Sequence, residues 1–278
     1  MPSKLEATLA TFRRQMAVAR AVRWVGLIAF IMALAAVLAF DQADDRRMAV
    51  AVLAAVVVSW ILLALRSIHL TREVQAGGAL LSIGKLDDAE VWLHKGMRSF
   101  SVAVPAKLVA GELLAMLSLQ RDAHHDVIAI CRELLRHPLT RVRSVWVNTR
   151  LMLADSLLTL DRLPEAHEAI LPIYSSAMPL ETKMKLLPIQ LRYELSSGQA
   201  SSSINALAEK VRIAELLDSP HAALVHALLA EACRRQGMPT EQAFLAERAR
   251  LYHDLDGLAA RFPVITPIAG RAQAPAEE

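Results

Sequence analysis

Residues 24–65 read WVGLIAFIMALAAVLAF DQADDRR MAVAVLAAVVVSWILLAL. Two runs without a charged side chain, 24–40 and 48–65, flank a seven-residue loop, 41–47. At 1.5 Å per residue, such runs rise roughly 26 Å as helices. The hydrocarbon core of a bilayer is about 30 Å thick, and flanking arginines can snorkel to make up the difference. Arg23, Arg46, Arg47 and Arg66 stand at the required places. The polar groups inside the runs are the Ser59 hydroxyl and the indoles of Trp24 and Trp60. A hairpin in a soluble core would keep a polar face, and these runs have none. A secretory signal has a shorter apolar region, with no second run directly behind it. The stretch therefore reads as a transmembrane helical hairpin.

Charge near the membrane gives an orientation. Residues 1–23 carry five basic side chains (Lys4, Arg13, Arg14, Arg20, Arg23) against Glu6. The loop carries three aspartates and two arginines. The expectation is a two-span inner-membrane (cytoplasmic-membrane) protein with both termini cytoplasmic and 1–23 a basic arm. Trp24 and Trp60 then fall toward the cytoplasmic interface, where indoles concentrate.

Whole-chain charge is +3, from 31 Lys and Arg against 28 Asp and Glu. Residues 66–278 hold 24 of each, so the basic excess belongs to the membrane-flanking arm, where it suits anionic headgroups. The large remainder has no net field for phosphate, and nucleic acid is not expected as a partner. Cys131 and Cys233 are the two cysteines and read as small apolar residues in a reducing compartment. His124-His125-Asp126 points to different sides of a helix, and Leu171 stands where a second metalloprotease histidine after His167-Glu168 would be. No phosphate loop, dinucleotide fingerprint or nucleophile elbow occurs. No metal, cofactor, small-molecule substrate or enzymatic activity is expected.

From residue 66 onward strand signals are absent. Apolar residues recur at helical spacing, cut by Gly and Pro every 12 to 20 residues. Pro105, Pro138, Pro164, Pro179, Pro220, Pro239 and Pro263 mark helix starts and stops, giving about ten helices over 66–262. Pro172 and Pro188 fall inside expected helices and should kink or shorten them. Pro263–Glu278, PVITPIAGRAQAPAEE, reads as a flexible tail.

Two of these segments align without a gap: 77–89, GGALLSIGKLDDA, and 154–166, ADSLLTLDRLPEA. The pattern of Gly77, Leu80, Gly84 and Ala89, with Leu93 and Gly96 following, resembles the tetratricopeptide repeat (TPR) family. Ala154, Leu157 and Ala166 match the same places, with Asp161 where the family often has Gly. Ala230, Cys233 and Gly237 match a third time, with Ala243 one residue late. The resemblance implies an all-α fold: the hairpin followed by a TPR-like α-solenoid of about five helix pairs. Small residues would let paired helices approach, and stacked neighbours would complete the core. The period is 37–39 residues where the family has 34, and the aromatic the family keeps in the first helix is missing.

In that register Arg141, Asn148, Asp155, Arg192, Arg234 and Arg235 would line a concave groove or its edge, suited to an acidic or extended peptide. The functional expectation is a membrane-anchored scaffold or adaptor whose cytoplasmic repeats recruit a protein partner. The alternative is a subunit of a larger membrane complex in which the hairpin makes the main contacts. There the small-residue surface Ala29, Ala33, Ala36 and Val37 would pack against another helix.

Overall fold

The computed structural model describes residues 4–39, 43–137, 142–175 and 178–270. Among these the chain is all-helical: fourteen α-helices, one 3-10 turn and no strand. It divides into two compact units, Met1–Met152 and Leu153–Glu278.

In the first unit, α1 (Lys4–Ala39) and α2 (Ala43–Ser82) are far longer than the apolar runs inside them. Both are long and apolar enough to cross a membrane. Over the apolar runs most side chains are exposed, among them Trp24, Leu38, Met48 and Leu62. Ala29, Ala33, Ala36 and Val37 lie on the less exposed stripe of α1, and a Cβ on Gly26 would stand 2.7 Å from the Trp60 ring of α2. Outside the apolar run, α1 changes character. Thr8, Leu9, Phe12, Met16 and Ala19 recur three and four residues apart and are buried. That face packs on α3 (Leu86–Arg98) and α5 (His124–Leu135). Likewise Leu70, Val74 and Leu81 of α2 are buried, and this end of α2 packs on α3 and α4 (Val104–Gln120). The stretch read as a basic arm is thus the first half of a continuous helix with its own apolar seam.

Close approach explains the small residues here. A Cβ on Gly77 would meet Leu93 at 3.0 Å, one on Gly96 would meet Val74 at 3.1 Å, and one on Gly111 would meet Leu134 at 2.6 Å. Helix pairs at these crossings pack backbone against side chain, and a methyl group would push the Leu93 and Val74 side chains aside by a few tenths of an ångström and Leu134 further.

The second unit holds the end of α6 (Arg143–Thr159), then α7 (Leu163–Tyr174), α8 (Leu180–Ser196), α9 (Ala200–Ile204) and α10 (Leu207–Ala214). After these come α11 (Ser219–Arg235), α12 (Pro239–Tyr252), α13 (Leu255–Arg261), the turn Pro263–Ile265 and α14 (Thr266–Ala269). Its core centres on α11, with Leu224, Leu228 and Cys233 meeting Leu191 and Leu195 of α8 and Leu245 of α12. Pro172 and Pro188 do not end their helices: α7 runs two residues past the first and α8 eight past the second. The second helix of the fourth pair breaks instead at Ala206, whose φ is +53°. Lys210 Nζ donates to the Ser202 and Ser203 carbonyls, 2.9 Å each, satisfying acceptors that the break leaves open.

One turn recurs five times. Gly84, Asp122, Asp161, Gly198 and Gly237 all have φ between +53° and +78° and stand 38, 39, 37 and 39 residues apart. At each, the left-handed residue donates its N–H to the carbonyl three back, as Gly84 does to Leu81 and Asp161 to Leu158. The next residue donates five back: Lys85 to Leu80, Ala123 to Ser118, Arg162 to Leu157, Gln199 to Glu194 and Met238 to Cys233. This paired bonding is the Schellman cap, which closes a helix through a left-handed residue. Aspartate tolerates that conformation better than larger side chains, so Asp122 and Asp161 fill places held elsewhere by glycine.

The stretch read as a flexible tail is ordered through Gly270. Ile265 and Ile268 are buried in the core of the second unit. Alternating buried and exposed positions at helical spacing, in place of the expected absence of pattern, account for this order. Residues 271–278 lie outside the described residues.

Candidate functional site

The packing residues read from the sequence fall in two kinds of place. Gly84 and Gly237 are the left-handed caps. Gly77, Ala89, Ala154, Leu157, Ala166 and Ala230 are buried, and Leu80 is half-buried. Each lies in a first helix, in the turn after it or early in the second helix, within its own unit.

The groove candidates are engaged inside the protein. Arg141 lies outside the described residues. In the first unit Asn148 Nδ2 donates to Glu112 Oε1 at 2.6 Å. In the second, the Arg192 guanidinium pairs with Asp155 and donates to Thr159 Oγ1 at 3.2 Å, while its face lies 4.7 Å from the Phe262 ring. Arg234 and Arg235 both hold Glu231, whose carboxylate is fully buried; their Nε atoms stand 2.7 Å from its oxygens. Arg235 also donates to the Leu195 carbonyl at 2.7 Å. Burial alone would raise the Glu231 carboxyl, but the two guanidiniums outweigh it and hold the group lowered. These cations are therefore engaged within the unit, although Arg234 and Arg235 share one carboxylate and each keeps about a third of its side chain exposed. Several bonds join residues about one repeat apart, such as 155 with 192 and 195 with 235, so neighbouring first helices of the second unit are laced side by side.

A second polar cluster was not legible in the sequence. It lies along the seam of α1 in the first unit. Lys4 and Arg121 grip Glu90, and the carboxyl is held down to about 2 by their hydrogen bonds. Arg13 holds Glu133 through Nε at 3.1 Å and Nη2 at 2.6 Å. Lys107 is fully buried under Phe12, donates to Gln15 Oε1 and lies 3.4 Å from the Met97 carbonyl. Burial pushes this amine down to about 8. Thr8 Oγ1 donates to the Lys4 carbonyl at 2.9 Å, so at its 3.0 Å contact with His94 it accepts from Nδ1–H. His137 meets the Phe12 ring edge-on at 5.4 Å.

Burial lowers the pKa of both His94 and His137. His94 faces Thr8 and Lys4 from α1 and Glu90 and Arg98 from α3; His137 faces Phe12, Arg13 and Arg20 from α1 and Glu133 and Arg136 beside it. A base with a lowered folded pKa takes up protons more readily once unfolded. The stability due to these rings is therefore complete above the free imidazole value near 6.5 and falls as pH drops below it. Protection of the amides over 4–23, taken relative to their intrinsic exchange rates at each pH, is expected to fall between pH 7 and pH 5.5. His94→Gln with His137→Gln should flatten that dependence.

Among the described residues no group of three or more His, Cys, Asp or Glu is placed to hold a metal ion. Both cysteines are buried, and burial raises both thiols. No family model matches this chain, and neither the curated proteins nor the solved structures contain a match to it.

Proposed function

We propose that the chain is a membrane-anchored scaffold: α1 and α2 form a transmembrane hairpin, and the helix pairs behind it form a TPR-like solenoid that recruits a protein partner to the inner-membrane surface. One observation carries the reading. α2 passes without a break from the apolar run 48–65 into buried residues Leu70, Val74 and Leu81, and its end is the first of five recurring caps. The anchor and the first repeat are thus one helix. Five caps at a period of 37–39 residues support the solenoid, because each closes a hairpin whose apolar face needs a neighbour. Tethering would raise the local concentration of a captured partner without a new contact.

The scaffold reading is preferred to one in which the hairpin makes the main contacts. On the stripe Ala29, Ala33, Ala36 and Val37, Ala33 is buried and the other three are half-buried, so part of this surface is already covered within the chain. In the proposed topology both termini are cytoplasmic. Protease added to sealed inside-out vesicles should digest the repeats, and protease added to right-side-out vesicles should leave them intact. Cross-linking in membranes should recover a protein partner with the full chain and lose it when the caps are broken by Gly84→Val and Gly237→Val. Protection on the opposite side, or unchanged recovery, would sink the proposal.

A further inference from the structure

The second unit carries a face already occupied by a peptide-like segment of the same chain. Residues 255–270 form three short pieces, of seven, three and four residues, each too short to hold a helix alone. They pack on α11, and the Pro263–Ile265 turn also reaches α8. α8 and α11 are the first helices of the last two pairs, the same helices that carry Arg192, Arg234 and Arg235.

The contact is built in peptide style. Leu255 and Leu258, then Ile265 and Ile268, present pairs of buried aliphatic side chains three residues apart. Between them Phe262 lies half-buried with its ring 4.7 Å from the Arg192 guanidinium. Arg192 can hold this ring because its N–H groups are spent on Asp155 and Thr159, leaving its flat face free to stack. One polar tie to the body is Arg250 Nη2 donating to the Ile268 carbonyl at 3.0 Å. Several bonds within the segment are local: the Asp254 side chain accepts from the Asp256 and Gly257 N–H groups, Phe262 N–H donates to Leu258, and Ile265 N–H donates to Phe262. The segment is held by these four aliphatic side chains and the stacked ring, with Ala259, Val264 and Ala269 packed beside them, so its departure would bare the core faces of α8 and α11 while those helices keep their own backbone bonds.

We infer that the α8–α11 face is a peptide-docking surface, filled in cis by residues 255–270 and opened to a partner segment of the same chemistry. That segment carries two aliphatic pairs at three-residue spacing around an aromatic followed by proline, with no charge on the docking side. The inference rests on the scaffold reading and names the kind of partner the repeats take. It replaces the acidic peptide expected from the arginines, which are engaged by Asp155, Glu231 and the Leu195 carbonyl.

The test uses the full chain in detergent and a fluorescent synthetic peptide of residues 254–270. The unmodified chain should bind the peptide weakly. Phe262→Ala with Ile268→Ser loosens the cis segment and leaves α8 and α11 intact, so affinity should rise at least tenfold. A peptide lacking its phenylalanine should bind neither chain. A variant that keeps the circular dichroism of the unmodified chain yet shows no saturable binding overturns the inference. Should the variant unfold, hydrogen exchange on the unmodified chain decides. Exchange in 255–270 at least tenfold faster than in α11 supports a separable segment, and equal protection overturns it. A concentration-dependent dimer of the full chain, abolished by the double substitution, would mean that a second copy is the occupant and would also overturn it. Failure here with successful partner recovery from membranes would leave the scaffold reading standing.

Discussion

Phe12→Ala is expected to destabilise the first unit by about 3–5 kcal/mol, the usual range for emptying a buried aromatic site. Phe12 is completely buried, and its ring lies against a histidine and a lysine. It lies edge-on to His137 at 5.4 Å, covers Lys107 at 5.8 Å and sits in the apolar stripe with Leu9 and Met16. Removing it takes packing from α1 and also exposes an amine and an imidazole that its bulk keeps dry. Domains have only about 5–15 kcal/mol in total, so this change should be visible as a large drop in the unfolding midpoint in detergent. Hydrogen exchange should localise the loss to residues 4–23 and to the ends of α3 and α5 facing them. Val18→Ala, at an exposed position on the same helix, should stay within about 0.5 kcal/mol. Equal effects from the two substitutions would show that the first half of α1 is not docked.

Arg234→Ala with Arg235→Ala is expected to cost about 3–5 kcal/mol in the second unit, because it strands a buried carboxylate. Glu231 is fully buried, whereas the two arginines reach solvent over about a third of their side chains. Removing the carboxylate is therefore the milder lesion: adding Glu231→Met to the arginine pair should restore most of the loss. The recovery measures the coupling directly. The sign with pH is also set. In the double arginine variant burial raises the Glu231 pKa above its unfolded value. A raised acid contributes full stability below its unfolded pKa and loses it as pH rises through the folded one. The variant should thus regain stability on mild acidification, where the unmodified chain does not. A loss that ignores both pH and the third substitution would mean that the arginines act through packing alone.

Much of the helical design is legible in the residues themselves. Charge-free runs of 17 and 18 residues announce the first two helices, and proline spacing announces the others. Gly84 and Gly237 mark caps because few other residues tolerate positive φ. The cap at Asp122 was hidden because aspartate is an ordinary residue on a helix surface, and nothing in RDAHH singles it out. Pro188 misled in the other direction, since its neighbours hold α8 together through the proline. The α1 seam was invisible for a different reason. Lys4 meets Glu90, Arg13 meets Glu133 and Gln15 meets Lys107 across 86, 120 and 92 residues. Net charge sees Lys4 and Arg13 as surplus cations for lipid, while the fold uses them as partners for specific carboxylates. The same held for the groove: position along a helix could place Arg192 and Arg235 on a face, but not reveal what already satisfied them.

The unbroken course of α2 makes it a lever. Its 40 residues measure about 60 Å at 1.5 Å each, with no proline anywhere along them. From Leu65 to Ser82 the arm is about 25 Å, so a 10° change of tilt in the bilayer displaces the far end by roughly 4 Å. No proline interrupts this arm, and its glycine pair Gly77-Gly78 lies near the far end, where Gly77 is packed against Leu93. In the transmembrane hairpin proposed above, bilayer thickness, tension or lateral crowding around residues 48–65 would become mechanical displacement at the first cap.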